Sequence, residues 1–118
     1  MTIDAHDVAS SSAFAAPLAE FRKQPTAATF VTLRNKMRSA GDGEALVHLC
    51  ELWAPRESDP KQAVEIWSEG GEVLLALGQT ARALRFLQRA LDLDPTHART
   101  FHLLHAIFVK QASAWLWI

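Results

Sequence analysis

Hydrophobic residues recur along this chain of 118 residues at spacings of three and four, the period of an amphipathic α-helix. The first apolar stripe contains Phe30, Leu33 and Met37. Four further stripes follow: Ala45, Leu46, Leu49, Leu52 and Trp53; Val64, Trp67, Gly71, Leu74 and Leu75; Ala83, Leu84, Leu87, Ala90 and Leu91; and Phe101, Leu104, Ile107 and Phe108. Strand-like alternation of apolar and polar residues is not sustained anywhere. The pattern therefore predicts an all-α chain.

Glycine, proline and capping residues predict where these helices begin and end. Gly41 follows the first stripe where a C-cap glycine is expected, and Asp59 followed by Pro60 is a good helix start. The other boundary residues are Pro17 and Pro25 around a short first helix, Pro55 and Gly78 after later stripes, and Thr80 and Thr96 as caps of the last two helices. Residues 1–16 are small and polar without a helical period, so we expect a flexible N-terminal arm.

The chain also repeats itself. A large aromatic residue occurs in the first helix of each unit, at Phe30, Trp67 and Phe101. The intervals between them are 37 residues (67 − 30) and 34 residues (101 − 67). A period of this size built from two helices is typical of an α-solenoid, in which helical hairpins stack side by side.

The middle unit resembles the tetratricopeptide repeat over residues 62–97. Seven positions match the family's register: Trp67, Gly71, Leu74, Ala83, Leu87, Ala90 and Pro95. The resemblance implies that Gly71 and Ala83 are small because the two helices of the unit cross closely there. Gly70 departs from it, because leucine is usual there, and Arg34 and His105 stand where the outer units would have glycine. The resemblance implies an α-α solenoid of about two and a half hairpins over residues 17–118, with units of about 26–60, 61–97 and 98–118.

The third unit contains little more than one helix. A turn is expected at residues 110–112, and the residues after it are too few for a full covering helix. Four aromatic residues are then expected to stay partly uncovered and to form a candidate self-association face: Phe101, Phe108, Trp115 and Trp117. Two explanations stay open: the chain is a piece of a longer repeat array, or another chain covers this end and makes a homo-oligomer.

In tetratricopeptide arrays the first helix of each repeat lines a concave groove that binds peptides or helices. The resemblance implies that this groove is lined by Asn35, Arg38, Glu65, Ser68, Glu69, Glu72, Arg99, His102 and Lys110, with Val31, Leu75 and Ala106 beside them. The glutamates favour a protein or peptide partner of basic and apolar character. We therefore expect a protein-interaction or scaffolding module, with a structural segment of a larger assembly as the alternative.

The charge balance argues against nucleic-acid and membrane partners. There are 12 basic and 13 acidic side chains, and the formal net charge is −1. Residues 77–84 do look like the turn of a helix-turn-helix DNA-binding motif, with Arg82, Arg85 and Arg89 on its second helix. The near-neutral charge and the acidic preceding helix make DNA binding the weaker alternative.

Catalytic, cofactor-binding and metal-binding residues are not predicted, so we expect a binding protein and not an enzyme. Cys50 is the single cysteine and is expected to be buried. His102 and His105 have a chelating spacing, but a metal site needs three or four ligands. The sequence has neither a basic signal-peptide start nor a run of about 18 apolar residues, so we expect a cytoplasmic protein without membrane spans.

Overall fold

The computed structural model describes residues 13–116, with side chains placed as far as residue 113. This part of the chain contains helices and turns but no strand, so the prediction of an all-α chain is confirmed. The six α-helices are α1 (Ala15–Lys23), α2 (Ala27–Ala40), α3 (Gly43–Trp53), α4 (Pro60–Ala76), α5 (Thr80–Leu93) and α6 (Ala98–Leu116), and a 3-10 turn lies at Ala54–Arg56. They form two compact units, unit 1 (Met1–Arg56) and unit 2 (Glu57–Ile118).

Unit 1 is built around the aromatic side chain at the end of α3. The ring centroid of Trp53 lies 6.0 Å from that of Phe21 and 6.0 Å from that of Phe30. Met37 and Leu49 are fully buried beside this cluster. The predicted apolar stripes of α2 and α3 therefore meet in one core, and the short helix α1 closes it.

A tight turn connects α2 to α3. Gly41 has a φ of 69°, a left-handed conformation that other residues adopt only at a cost, and its N–H donates to the carbonyl of Arg38. The carboxylate of Asp42 then accepts the N–H of Ala45 at 3.1 Å and caps α3. Gly41 thus ends α2, as predicted, and Asp42 starts α3, which was not predicted.

Unit 2 begins with a closely packed hairpin of α4 and α5. The rings of Trp67 and Phe86 meet edge to face with centroids 5.1 Å apart. A Cβ atom built on Gly71 would lie 2.8 Å from Cδ2 of Leu87, which is closer than real Cβ contacts allow. Ala83 and Leu87 are fully buried. The small residue expected at the helix crossing is therefore required there by packing.

Helix α6 packs against both helices of this hairpin through one side only. Thr100 and Ile107 are buried, and Leu104 is half-buried. Ile107 had been predicted to share one side of this helix with Phe101 and Phe108, but those two side chains are exposed. The reason is angular: Ile107 precedes Phe108 by one residue, which turns it about 100° around the helix.

Both ends of the described chain differ from the prediction. Helix α1 starts at Ala15, two residues before Pro17, and Phe14 is buried although it belongs to the segment 1–16 predicted as an arm. The rest of that segment lies outside the described residues. At the other end, α6 continues through residues 110–112, where a turn was predicted. That segment contains no glycine or proline, and its residues are good helix formers.

Neither predicted threonine caps its helix. Gln79 occupies the N-cap position of α5 and makes no capping bond through its side chain. Thr96 belongs to the turn before α6, where its hydroxyl and N–H both donate to the carboxylate of Asp94, at 2.8 and 3.0 Å. Both bonds lower the pKa of Asp94, and the bond from the hydroxyl has the larger effect. Asp59 does cap α4, since it accepts the N–H of Lys61 at 3.0 Å.

Candidate functional site

Four charged or ionisable side chains of unit 2 connect α4 to the start of α6, and we call them the ion-pair cluster: Glu65, Glu72, His97 and Arg99. Two guanidinium nitrogens of Arg99, Nε and Nη2, donate to Oε2 of Glu72 at 3.3 and 3.1 Å. Its third nitrogen lies 3.6 Å from Oε2 of Glu65. The other oxygen of Glu65 lies 2.8 Å from Nε2 of His97. Glu65 and Glu72 therefore both have a basic partner at the start of the third helix of the unit.

His97 has a second role, because it precedes the first residue of α6. Its Nδ1 accepts the N–H of Thr100 at 3.4 Å and lies 2.8 Å from the hydroxyl of the same residue. An Nδ1 atom that accepts an N–H carries no proton, so we assign the proton to Nε2, which then donates to Glu65. One imidazole thus caps a helix and holds that helix to α4.

The predicted groove residues divide into three groups. Glu65, Glu72 and Arg99 lie together, but they are bonded to one another. Ser68 and Glu69 are buried, at 0% and 7% exposure, and the Ser68 hydroxyl donates to the carbonyl of Glu65. This corrects the expectation that Ser68 and Glu69 line an open groove, because both lie inside unit 2. The remaining four are exposed: Asn35 and Arg38 in unit 1, and His102 and Lys110 on α6.

An uncovered apolar surface runs along α6, and we call Phe101, Leu104, His105 and Phe108 the α6 stripe. Phe101 and Phe108 are 52% and 59% exposed, which is unusual for two phenylalanines on one side of a helix. They are seven residues apart, which is about two turns or 10 Å along the axis. Leu104 is half-buried and His105 is exposed between them. These two aromatic residues are uncovered, as predicted.

The candidate self-association face extends in sequence beyond this stripe. Trp115 belongs to α6, but its side chain lies outside the described residues, and Trp117 lies outside them entirely. Val109 adjoins Phe108 and is half exposed. The described part of the face therefore consists of the α6 stripe and Val109.

The arginines proposed for the DNA-binding alternative have contacts within unit 2. The guanidinium of Arg89 lies 5.6 Å from the ring centroid of Trp67, a cation–π contact. Arg82 donates to the side-chain oxygen of Gln79 at 2.8 Å. A helix that reads DNA presents its basic side chains to phosphates and bases, and two of these three arginines are held by their own unit.

Within residues 13–116, no three His, Cys, Asp or Glu side chains converge as metal ligands. Cys50 is a buried thiol in the core of unit 1. Within the same range no helix is both long and apolar enough to cross a bilayer.

Two residues that matter for unit 2 were missed by reasoning from the sequence. Phe86 was not assigned to the buried side of α5, although it lies three residues after Ala83 and four before Ala90. His97 was assigned no role in the fold. Histidine is not among the preferred N-cap residues, and its partner Glu65 is 32 residues away, so no local pattern identified it.

Comparison of the chain with protein-family models, with curated proteins and with solved structures found no match in any of the three.

Proposed function

We propose that this chain is a tetratricopeptide-type helical repeat protein whose function is to bind other proteins, and that unit 2 presents its binding surface on the α6 stripe. The observation that carries the proposal is the exposure of more than half of both Phe101 and Phe108 on one side of one helix. Exposed aromatic side chains that are grouped together mark interaction sites, and aromatic residues are enriched at the centres of interfaces.

The repeat assignment is supported by the way α4 and α5 pack. Gly71 stands where the helices approach most closely, and no side chain fits between it and Leu87. The family resemblance places a small residue at this position. Trp67 and Leu74 are buried on either side of it, as the register of the repeat requires. A solenoid of such hairpins is the architecture that we propose for the chain.

The groove predicted between the first helices is a second candidate surface. Glu65 and Glu72 are each about half exposed, so a basic partner can reach them. Such a partner must compete with Arg99 and His97, which already bond these carboxylates. The α6 stripe has no such competitor among the described residues, and for this reason we place it first. Binding of a basic peptide in the groove stays a prediction.

The proposal is tested by selecting peptides that bind the full chain and asking where they bind. A displayed library of peptides of about 20 residues, about 30 Å long when helical, is selected against the immobilised protein. The affinity of each selected peptide is then measured by fluorescence anisotropy. Protein concentrations are kept below about 1 µM, so that the anisotropy reports peptide binding and not association of the protein with itself.

The variants for this test are Phe108→Ala, Glu72→Gln and the control Leu93→Ala, an exposed apolar residue of unit 2 that belongs to neither candidate surface. We expect Phe108→Ala to weaken binding by about 30-fold, as at an interface hot spot, and Leu93→Ala to have no effect. Peptides that lose affinity with Glu72→Gln and keep it with Phe108→Ala would move the site to the groove. Failure to select any peptide would contradict the proposed function.

A further inference from the structure

The α6 stripe carries no permanent charge. Residues 98–113 of α6 include no aspartate or glutamate, and their two permanent cations are Arg99 and Lys110. These are eleven residues apart, about three turns, and therefore lie on one side of the helix, away from Phe101 and Phe108. Arg99 is moreover bonded to Glu72. A charged peptide would find no counter-charge along the stripe, whereas a neutral apolar helix would meet no unpaired charge there.

The stripe is also complementary to itself. In an antiparallel pair of α6 helices, a two-fold axis passes between the helices at the level of residues 104 and 105. Each residue then lies opposite the partner residue that is equally far from this level on the other side. Phe101 of one copy then lies beside the partner's Phe108, and the reverse contact follows by symmetry. Both copies of His105 come close to the axis on the same side of the helix pair. Two neutral imidazoles can lie there side by side, because one nitrogen donates and another accepts.

His105 also determines how closely another helix can approach. In the hairpin of unit 2, Gly71 occupies the corresponding position and allows Leu87 to approach within a distance that any Cβ would block. An imidazole at this position excludes that hairpin geometry on α6. A helix that covers the stripe must therefore pack at the ordinary interaxial distance of about 8–10 Å, as two antiparallel copies of one helix do.

From these three observations we propose that the occupant of the α6 stripe is a second copy of this chain, paired antiparallel about a two-fold axis between residues 104 and 105. This rests on the proposed function, in which the stripe is a protein-binding surface. The α6 stripe contributes four described side chains, few beside the roughly 20–30 residues per partner of a standard stable complex, so the dimer is weak, with dissociation in the micromolar range.

Sedimentation equilibrium of the full chain from about 1 to 500 µM measures this pairing. We expect the weight-average mass to rise from monomer toward dimer across the series, and Phe108→Ala to weaken dimerisation by at least about tenfold. Leu93→Ala should leave the curve unchanged. A wild-type chain that stays monomeric over the whole range, or a dimer that Phe108→Ala leaves intact, would overturn the proposal.

A charge exchange at His105 tests the position of the axis. His105→Glu and His105→Lys each place two like charges beside the axis, and each variant alone should dimerise at least about tenfold more weakly than the wild type. An equimolar mixture places opposite charges together and should recover the dimer. The residue is exposed, so both variants are expected to fold, and circular dichroism verifies this.

The matched control is the same exchange at His102, which is exposed and lies about 100° around the helix from Phe101. His102→Glu, His102→Lys and their mixture should all dimerise as the wild type does. If the mixed His105 variants stay monomeric while the wild type forms dimers, the antiparallel arrangement is wrong.

The two proposals fail in different ways. A monomeric wild type whose selected peptides still depend on Phe108 would refute self-pairing and leave the protein-binding function in place. A dimer that depends on Phe108 and His105, in a chain that selects no peptide, would support self-pairing. It would also replace the proposed function by a structural role in an assembly.

Discussion

Helices α4 and α6 carry the same arrangement of residues and meet opposite environments. In α4 the residues are Trp67, Gly71 and Leu74, and in α6 they are Phe101, His105 and Phe108, with identical spacing. The α4 set is buried under α5. The α6 set is exposed, although Thr100 and Ile107 on another side of the same helix are buried.

The residue in the middle of each set explains part of this difference. Glycine in α4 lets the side chain of Leu87 enter the space between the helices. In α6 the corresponding position carries the imidazole of His105, which is exposed. Equal apolar spacing thus shows that a helix has a face to bury, while the size of the central residue limits which neighbour can cover it.

The largest expected effect is a difference in stability between two variants, one at the buried Trp67 and one at the exposed Phe108. Trp67→Ala removes a buried ring that contacts Phe86 and should lower the free energy of unfolding by about 3–5 kcal/mol. Phe108→Ala should lower it by less than about 0.5 kcal/mol, because that ring is mostly in water already. Urea denaturation followed by circular dichroism, at micromolar protein, measures both. Equal losses would contradict the contrast between the two faces.

An exchange of the central residues is the next test. Gly71→His forces an imidazole into a space where not even a Cβ fits, and should lower the free energy of unfolding by about 3 kcal/mol or more. The reciprocal His105→Gly removes an exposed side chain. It should lower the free energy of unfolding by less than about 1 kcal/mol, because only helix propensity changes. Urea denaturation of the two variants under the same conditions measures both free energies of unfolding. A Gly71→His chain as stable as the wild type would mean that the close approach of α4 and α5 is not needed.

The smallest effect concerns the ion-pair cluster that joins the two helices. Glu65→Gln with Glu72→Gln should lower the free energy of unfolding by less than about 1 kcal/mol, because all these charges are partly exposed to solvent. The difference from the wild type should shrink further in about 1 M sodium chloride, where the charges are screened. Glu20→Gln, an exposed glutamate of unit 1, is the control. A difference that salt does not reduce would show that the cluster acts through packing and not through charge.

Much of the local structure followed from the sequence. The left-handed glycines Gly41 and Gly78, the Asp59 cap and the apolar stripes all depend on neighbours within a few residues, so their patterns are visible along the chain. A small residue at Gly71 was expected from the resemblance to the repeat, and the contact with Leu87 leaves no room for a Cβ atom there.

The candidate site could be predicted only in part. Glu65, Glu72 and Arg99 were assigned to one surface, but the sequence did not show that they bond to one another. Ser68 and Glu69 were expected on that surface and are buried. Helical spacing gives the direction of a side chain from its axis, while burial depends on which neighbour is packed on that side.

The sequence by itself determined that this chain is helical, where most of its helices start and stop, and which small residues allow close packing, because these follow from short-range sterics and hydrogen bonding. Only the tertiary structure decided that His97 holds α6 to Glu65, that Phe86 belongs to the core, and that Phe101 and Phe108 stay in solvent while Ile107 does not. Those outcomes depend on contacts between residues far apart in the chain, and no local pattern encodes them.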